Sequence, residues 1–298
     1  MNVAECVVVN AVLPDARYER SWKSIVVAPE LKERLLHAAL LALQLRPVLA
    51  TEVTALHGLL LLHGPPGTGK TTLARGLAQE IAPLAGGRKA RLIEVNPHGL
   101  MSAEHGQSQQ KVFELLARHV PGLADDGLPT VVLLDEVESM AVARSEASLH
   151  ANPADVHRAT DAVLTALDHI ARDHPTLIVV ATSNFTKALD DAFVSRADVA
   201  IEVPLPSAEA IEQILAQTLG EFGERFASIG RLAADPGLKT VAHRLVGADG
   251  RRVRKLVTDA LGRRRETVLD ANELTMRDLT AAAVEFAGET ADGRHAAA

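Results

Sequence analysis

The sequence predicts an α/β fold, a parallel sheet with helices on both faces, followed by a smaller all-helical lid domain. Three observations predict it. Apolar runs of strand length alternate with helical patterns through the first two thirds of the 298 residues. A glycine-rich turn, Gly64–Thr71, lies between one apolar run and a helix start. Beyond Pro204-Leu205-Pro206 only helical patterns remain.

Taken in order, Leu31, Leu35, Leu36, Ala39, Leu40 and Leu43 have helical spacing, which predicts a helix between Trp22 and about Leu49 with Pro47 marking its end. Strands are expected at Leu59–His63, Arg91–Val95, Thr130–Leu134, Leu177–Ala181 and Val199–Val203. A helix with Val156, Val163, Leu164, Leu167, Ile170 and Ala171 on one face precedes the fourth, after an exposed loop over Ser145–Pro153. Ile211, Ile214, Leu215 and Leu219, then Val253, Leu256, Val257, Ala260 and Leu261, mark helices of the second domain. The expected organisation is a short N-terminal segment (1–21), a large α/β domain (22–206), a helical lid (207–287) and a disordered tail (288–298). Val7-Val8-Val9 is open between an edge strand and a docking segment.

Gly64-Pro65-Pro66-Gly67-Thr68-Gly69-Lys70-Thr71, with Thr72 after it, fits the phosphate-loop pattern G-x-x-x-x-G-K-[ST]. Glycines there let backbone N–H groups turn toward phosphate oxygens, and the following helix adds the positive end of its dipole. Lys70 is expected on the β- and γ-phosphates of ATP, and the Thr71 hydroxyl on Mg²⁺. Downstream, Thr130–Leu134 ends in Asp135-Glu136. An acid at that strand end suits the magnesium side, and its neighbour suits a general base that polarises the attacking water. The plainer alternative is an acidic helix start. Glu138 reads as solvated surface or a supporting residue. His169 and His174, five apart, have neither of the spacings that place two ligands on one helix face.

Composition narrows the class. Net charge is −7, with 47% hydrophobic and 3% aromatic residues, so no global footprint for nucleic acid or an anionic membrane exists. The single cysteine, Cys6, excludes an intramolecular disulfide and fits a reducing cytoplasm. No signal peptide or membrane span is legible. The basic stretches Arg251–Lys255 and Arg263–Arg265 are the sequence's only support for a nucleic-acid motor.

The motif order resembles the AAA+ ATPases. VLPDARYERSWKSIVV (Val12–Val27), LLLLHGPPGTGKTTLARGLAQ (Leu59–Gln79), LIEVNPHGLMS (Leu92–Ser102) and VVLLDEVESMAVAR (Val131–Arg144) narrow the resemblance further. So do DVHRATDAVLTALD (Asp155–Asp168), TSNFTKALDDAFVSRADV (Thr182–Val199) and GRRVRKL (Gly250–Leu256). Together they resemble the pachytene-checkpoint and thyroid-receptor-interactor branch, which remodels HORMA-domain proteins.

The resemblance implies further roles. Asn184 matches sensor 1, a neutral amide orienting the attacking water, against the alternative of an ordinary strand-end turn. Arg196 matches the arginine finger, against a surface arginine paired with Asp198. Arg251 matches sensor 2. A finger supplied in trans implies a homohexamer with a central pore. The aligned pore loop has Glu104 and His105 where bulky apolar residues are expected, while Gly106 and Ser108 keep the loop's frame, which favours a limited pull over processive unfolding. Few residues precede Trp22, so the chain resembles the compact bacterial members. The expected function is a cytoplasmic ATP-hydrolysing remodeller of a HORMA client, with or without a bound cyclase or peptide. Such a protein would be a negative regulator in cyclic-oligonucleotide antiphage signalling. The alternatives are a clamp-loader-like, nucleic-acid-stimulated motor and a nucleotide-gated scaffold with negligible turnover.

Overall fold

The computed structural model describes residues 3–96, 107–141, 153–185 and 189–295. It divides into two compact units. Met1–Lys23, Ala28–Gly64 and Lys70–Val203 form the first, and Ser24–Val27, Pro65–Gly69 and Pro204–Ala298 the second. The division falls at Val203/Pro204, and it also assigns two short segments of the earlier chain to the helical unit, which a reading along the sequence does not anticipate.

The first unit is built on a six-stranded sheet: β1 (Val7–Leu13), β2 (Leu59–His63), β3 (Ala90–Val95), β4 (Thr130–Leu134), β5 (Leu177–Ser183) and β6 (Val199–Glu202). Their order is β1-β3-β4-β5-β2-β6. β2 to β6 are parallel, whereas β1 pairs antiparallel with β3, so the sheet is mixed and not wholly parallel as expected. Val7–Val9 thus opens an edge strand. Its faces alternate, with Ala11 and Leu13 buried and Val8, Asn10 and Val12 exposed. That half-buried pattern suits an antiparallel edge strand, while the inner strands β2, β4 and β5 are largely continuous apolar runs. Every residue from Leu59 to Leu62 and from Val131 to Leu134 is 0–1% exposed.

Such burial requires cover on both faces. Leu59, Leu61, Val132, Leu134, Val179 and Ala181 share one core with the helix Pro153–Asp173 and the segment around Leu115–Val120. The alternate residues face the helices Pro29–Leu45 and Lys70–Leu84. Where one helix is expected from Trp22 to Leu49, there are two, Ser21–Ser24 and Pro29–Leu45. The break follows from Pro29, which pushes Ala28 out of the helical region to φ −52°, ψ 131°. Buried Arg46 then donates to the carbonyls of Ile170 (3.0 Å), Ala171 (3.2 Å) and Leu177. It ties the end of the Pro153–Asp173 helix to the start of β5, and its burial pushes its pKa down to about 10.

The second unit packs Ile211, Leu215, Leu219, Val241, Val253, Val257 and Leu279 into one core of helices. Its last helix, Met276–His295, continues through most of the expected disordered tail, and residues 296–298 lie outside the described residues. A network fixes that helix's start. Arg264 donates to both oxygens of Asp278 at 2.7 and 2.9 Å, and the Thr275 hydroxyl donates to it at 2.6 Å. These bonds, the Arg264 guanidinium first, hold the Asp278 carboxyl at about 2 against its ordinary 3.8. A depressed carboxyl stabilises the fold above its unfolded pKa, and that contribution is lost as pH falls through the folded value. The helical unit is therefore expected to lose stability between pH about 4 and about 2, and Asp278→Asn to flatten that part of the profile in chemical denaturation.

Candidate nucleotide site

The parallel strands place their carboxyl ends together, and the three innermost in the order β4-β5-β2 carry the motifs. Gly64 follows β2, Asp135 follows β4 and Asn184 lies just past β5. Gly64 has φ +140°, and a Cβ there would stand 2.3 Å from the Val203 carbonyl oxygen. Its N–H donates to the Ser183 carbonyl at 3.2 Å. Only glycine fits this crossing of β2, β5 and the end of β6.

Within the first unit, Lys70 and Thr71 open the helix Lys70–Leu84. Lys70 Nζ donates to Gly64 O at 2.8 Å and to Asn184 Oδ1 at 2.9 Å. It is 6% exposed. Burial pushes its pKa down, while Glu138, then Asp135 and Glu136, oppose the shift. The Thr71 hydroxyl donates to Asp135 Oδ1 at 2.7 Å. The Thr182 hydroxyl donates to the same oxygen at 2.5 Å and accepts the Glu136 N–H at 3.1 Å. Thr182, buried on β5, is a site residue that sequence reasoning passes over. A threonine within an apolar run gives little signal until the partner strand is known.

Glu136 has an exposed side chain and a left-handed backbone, φ +53° and ψ +52°. Such a conformation costs a non-glycine residue on the order of 1 kcal/mol and persists where surrounding contacts hold it. Here the Glu136 N–H bond to Thr182 does so. The two adjacent acids thus differ in setting, Asp135 bonded to two hydroxyls and half-buried, Glu136 exposed. Of the two readings of Glu138, solvated surface or supporting residue, its partial burial fits the second. Its Oε1 accepts the Asn184 N–H at 3.1 Å.

Arg196 closes the short helix Asp191–Ser195 and is half-buried. It does not pair with Asp198, whose carboxylate accepts the His57 and Gly58 N–H groups, each at 2.8 Å. Instead Arg196 forms a bidentate pair with Asp168 at 2.7 and 2.9 Å.

The second unit contains the phosphate-loop residues Pro65–Gly69. Gly67 has φ +77°, and a Cβ there would overlap Asp249. Asp249 caps the helix Gly250–Leu261, accepting the Arg251 N–H at 2.9 Å, and the Arg251 N–H also donates to Gly67 O at 3.2 Å. Arg251 itself is exposed. The Thr68 hydroxyl donates to Pro65 O at 3.0 Å, bracing the loop internally. Pro66, Gly69 and Thr72 lie in or beside the loop as expected. The pore-loop residues Glu104, His105 and Gly106 lie outside the described residues.

Comparison with known proteins agrees with this geometry. The family model for the ATPase family associated with various cellular activities (AAA) matches residues 60–205. CD-NTase-associated protein 6 of Pseudomonas aeruginosa is 46% identical over 91% of this chain and 88% of its own length. The chain belongs to the AAA ATPase family. Among solved structures, C. elegans PCH-2 superposes on this AAA ATPase with a TM-score of 0.73, at 27% identity, over 95% of this chain and 75% of that one. A structure of the E. coli MS115-1 HORMA:CdnC:Trip13 complex matches at TM-score 0.69 over 96% and 97% of the two chains. At 18% identity that likeness is one of fold. Among the described residues of this AAA ATPase, no helix is long and apolar enough to cross a membrane.

Proposed function

We propose that this AAA ATPase couples ATP hydrolysis to the conversion or disassembly of a HORMA-domain protein complex. The observation that carries the chemistry is the cluster at the ends of β4, β5 and β2, where the Lys70 ammonium lies among Asp135, Glu138 and Asn184. The client class is supported by the relatives, one of which is a CD-NTase-associated protein and another a HORMA:CdnC:Trip13 complex.

In this reading Lys70 meets the β- and γ-phosphates, and the three nearby carboxylates oppose the downward pull of burial on its pKa. The Thr71 hydroxyl and an Asp135 oxygen, already 2.7 Å apart, are hard oxygen donors that suit magnesium, which keeps water and phosphate oxygens in its remaining positions. Bound there, the ion would neutralise charge on the transferring phosphoryl group. Glu136, with its exposed carboxylate, takes the proton of the attacking water. Asn184 orients that water through its amide. Arg196 acts on a neighbouring subunit's nucleotide within a homohexamer. Its pair with Asp168 is partly exposed and worth no more than about 1 kcal/mol, so a finger contributing several kcal/mol can leave it. Arg251, matching sensor 2, reports nucleotide state to the lid, and the loop carrying Glu104, His105 and Gly106 contacts the client.

Three residues of the basic stretches that favour a nucleic-acid motor are engaged within the helical unit. Arg263 pairs with Glu285, Arg264 with Asp278, and Arg254 donates to the Ser24 carbonyl. This supports the protein client over nucleic acid. In a cytoplasmic setting the activity would switch off a HORMA-dependent cyclase. The test is release of a fluorescent closure peptide from a purified HORMA protein. Release is expected with Mg·ATP and not with a non-hydrolysable analogue. ATPase activity stimulated by DNA but not by the HORMA protein would overturn the assignment.

A further inference from the structure

Glu138 enters the mechanism above only as one of the carboxylates around Lys70, yet it also bonds the backbone of Asn184. It lies on the single turn Val137–Ser139 immediately after the left-handed Glu136. Oε1 accepts the backbone N–H of Asn184 at 3.1 Å. Oε2 is buried and makes no hydrogen bond to the described residues. Of the carboxylates acting on Lys70, Glu138 has the largest effect. Asn184 in turn gives its side-chain oxygen to Lys70 Nζ at 2.9 Å. Glu138 therefore grips the backbone of the residue whose side chain meets the phosphate-loop lysine.

A carboxylate with a buried, unbonded oxygen is costly unless something else is gained. β5 ends at Ser183, so no ladder bond fixes Asn184 beyond it. The Ser183 hydroxyl accepts the next N–H, that of Phe185, at 3.1 Å, leaving the Asn184 N–H to Glu138.

We propose that Glu138 is a positioning residue for hydrolysis: its Oε1 bond to the Asn184 N–H sets the direction of the Asn184 amide. The role rests on the reading of Asn184 as the residue that orients water. Glu138 touches no reacting atom, so its loss acts on the chemical step and not on nucleotide affinity. Glutamine preserves an acceptor oxygen at the same reach, while alanine removes it.

The test is steady-state ATP turnover by full-length Glu138→Ala, Glu138→Gln, Asn184→Ala and the double variant Glu138→Ala/Asn184→Ala, with nucleotide affinity measured separately. Glu138→Ala is expected to lower kcat about tenfold with ATP KM changed less than about threefold. Glu138→Gln should stay within about threefold of wild type, and the double variant within about twofold of Asn184→Ala alone. Multiplicative losses in the double variant would overturn the proposal, showing a purely structural contribution. A Glu138→Gln defect equal to that of Glu138→Ala would overturn it too, since charge would then be what matters. If Asn184→Ala turns over normally, the Asn184 reading itself fails, and the proposal with it. An impaired Asn184→Ala beside a normal Glu138→Ala leaves that reading standing and rejects only the positioning role.

Discussion

Arg196→Ala is expected to lower ATP turnover by about 10³-fold while leaving nucleotide binding within a few-fold of wild type. The expectation comes from where charge develops. As the γ-phosphoryl group transfers, negative charge spreads over its oxygens and the bridging oxygen, and a guanidinium aimed there stabilises the transition state more than the bound nucleotide. In the first unit Arg196 is held by Asp168 at 2.7 and 2.9 Å, a pair whose two partners are both partly exposed. Little is therefore lost when Arg196 reaches another partner. Subunit mixing tests the direction of that reach. Arg196→Ala subunits keep Glu136, and Glu136→Gln subunits keep Arg196. If the finger acts in trans, equal mixing of the two inactive proteins restores about a quarter of wild-type turnover, the share of interfaces with both groups intact. Mixed rings as inactive as either parent would place Arg196 outside trans catalysis.

The second large effect is at Glu136. Glu136→Gln should bind Mg·ATP normally and hydrolyse it at least about 10²-fold more slowly, because the amide cannot take the proton of the attacking water. The adjacent acid gives the contrast. Asp135 accepts from the Thr71 and Thr182 hydroxyls, which suits the metal side proposed for it, whereas Glu136 has an exposed side chain on a left-handed backbone. Single-turnover measurement with saturating ATP separates binding from chemistry. Wild-type turnover by Glu136→Gln would remove it as the general base.

Much of this site is legible in the amino-acid sequence alone. The phosphate loop and the acids after Thr130–Leu134 are local features, since one needs glycines and a helix start, and the other a strand end. The inner strands β2, β4 and β5 are legible because burial on both faces makes them largely apolar. β1 is ambiguous because its buried residues alternate with exposed ones. What escapes is what depends on contact between distant segments. Thr182 and Glu138 act on Glu136 and Asn184 across neighbouring strand ends, and neither spacing nor charge pattern announces such bonds. Asp168 lies 28 residues from Arg196, on another helix, so the nearby Asp198 is the natural but wrong partner. Asp198 is taken instead by the backbone N–H groups of His57 and Gly58, just before β2. The membership of Pro65–Gly69 in the helical unit is invisible for the same reason, because it arises from contacts with residues near Asp249 and Arg251.

The central claim is that nucleotide state controls engagement of a HORMA-domain protein. The test is capture by Glu136→Gln held in Mg·ATP, compared with Lys70→Ala, which loses the cation proposed to meet the phosphates. A HORMA-domain protein is expected to be enriched on Glu136→Gln and absent from Lys70→Ala, with bound proteins identified by mass spectrometry. Equal recovery on both variants, or recovery of nucleic-acid-bound factors in place of a HORMA protein, would contradict it.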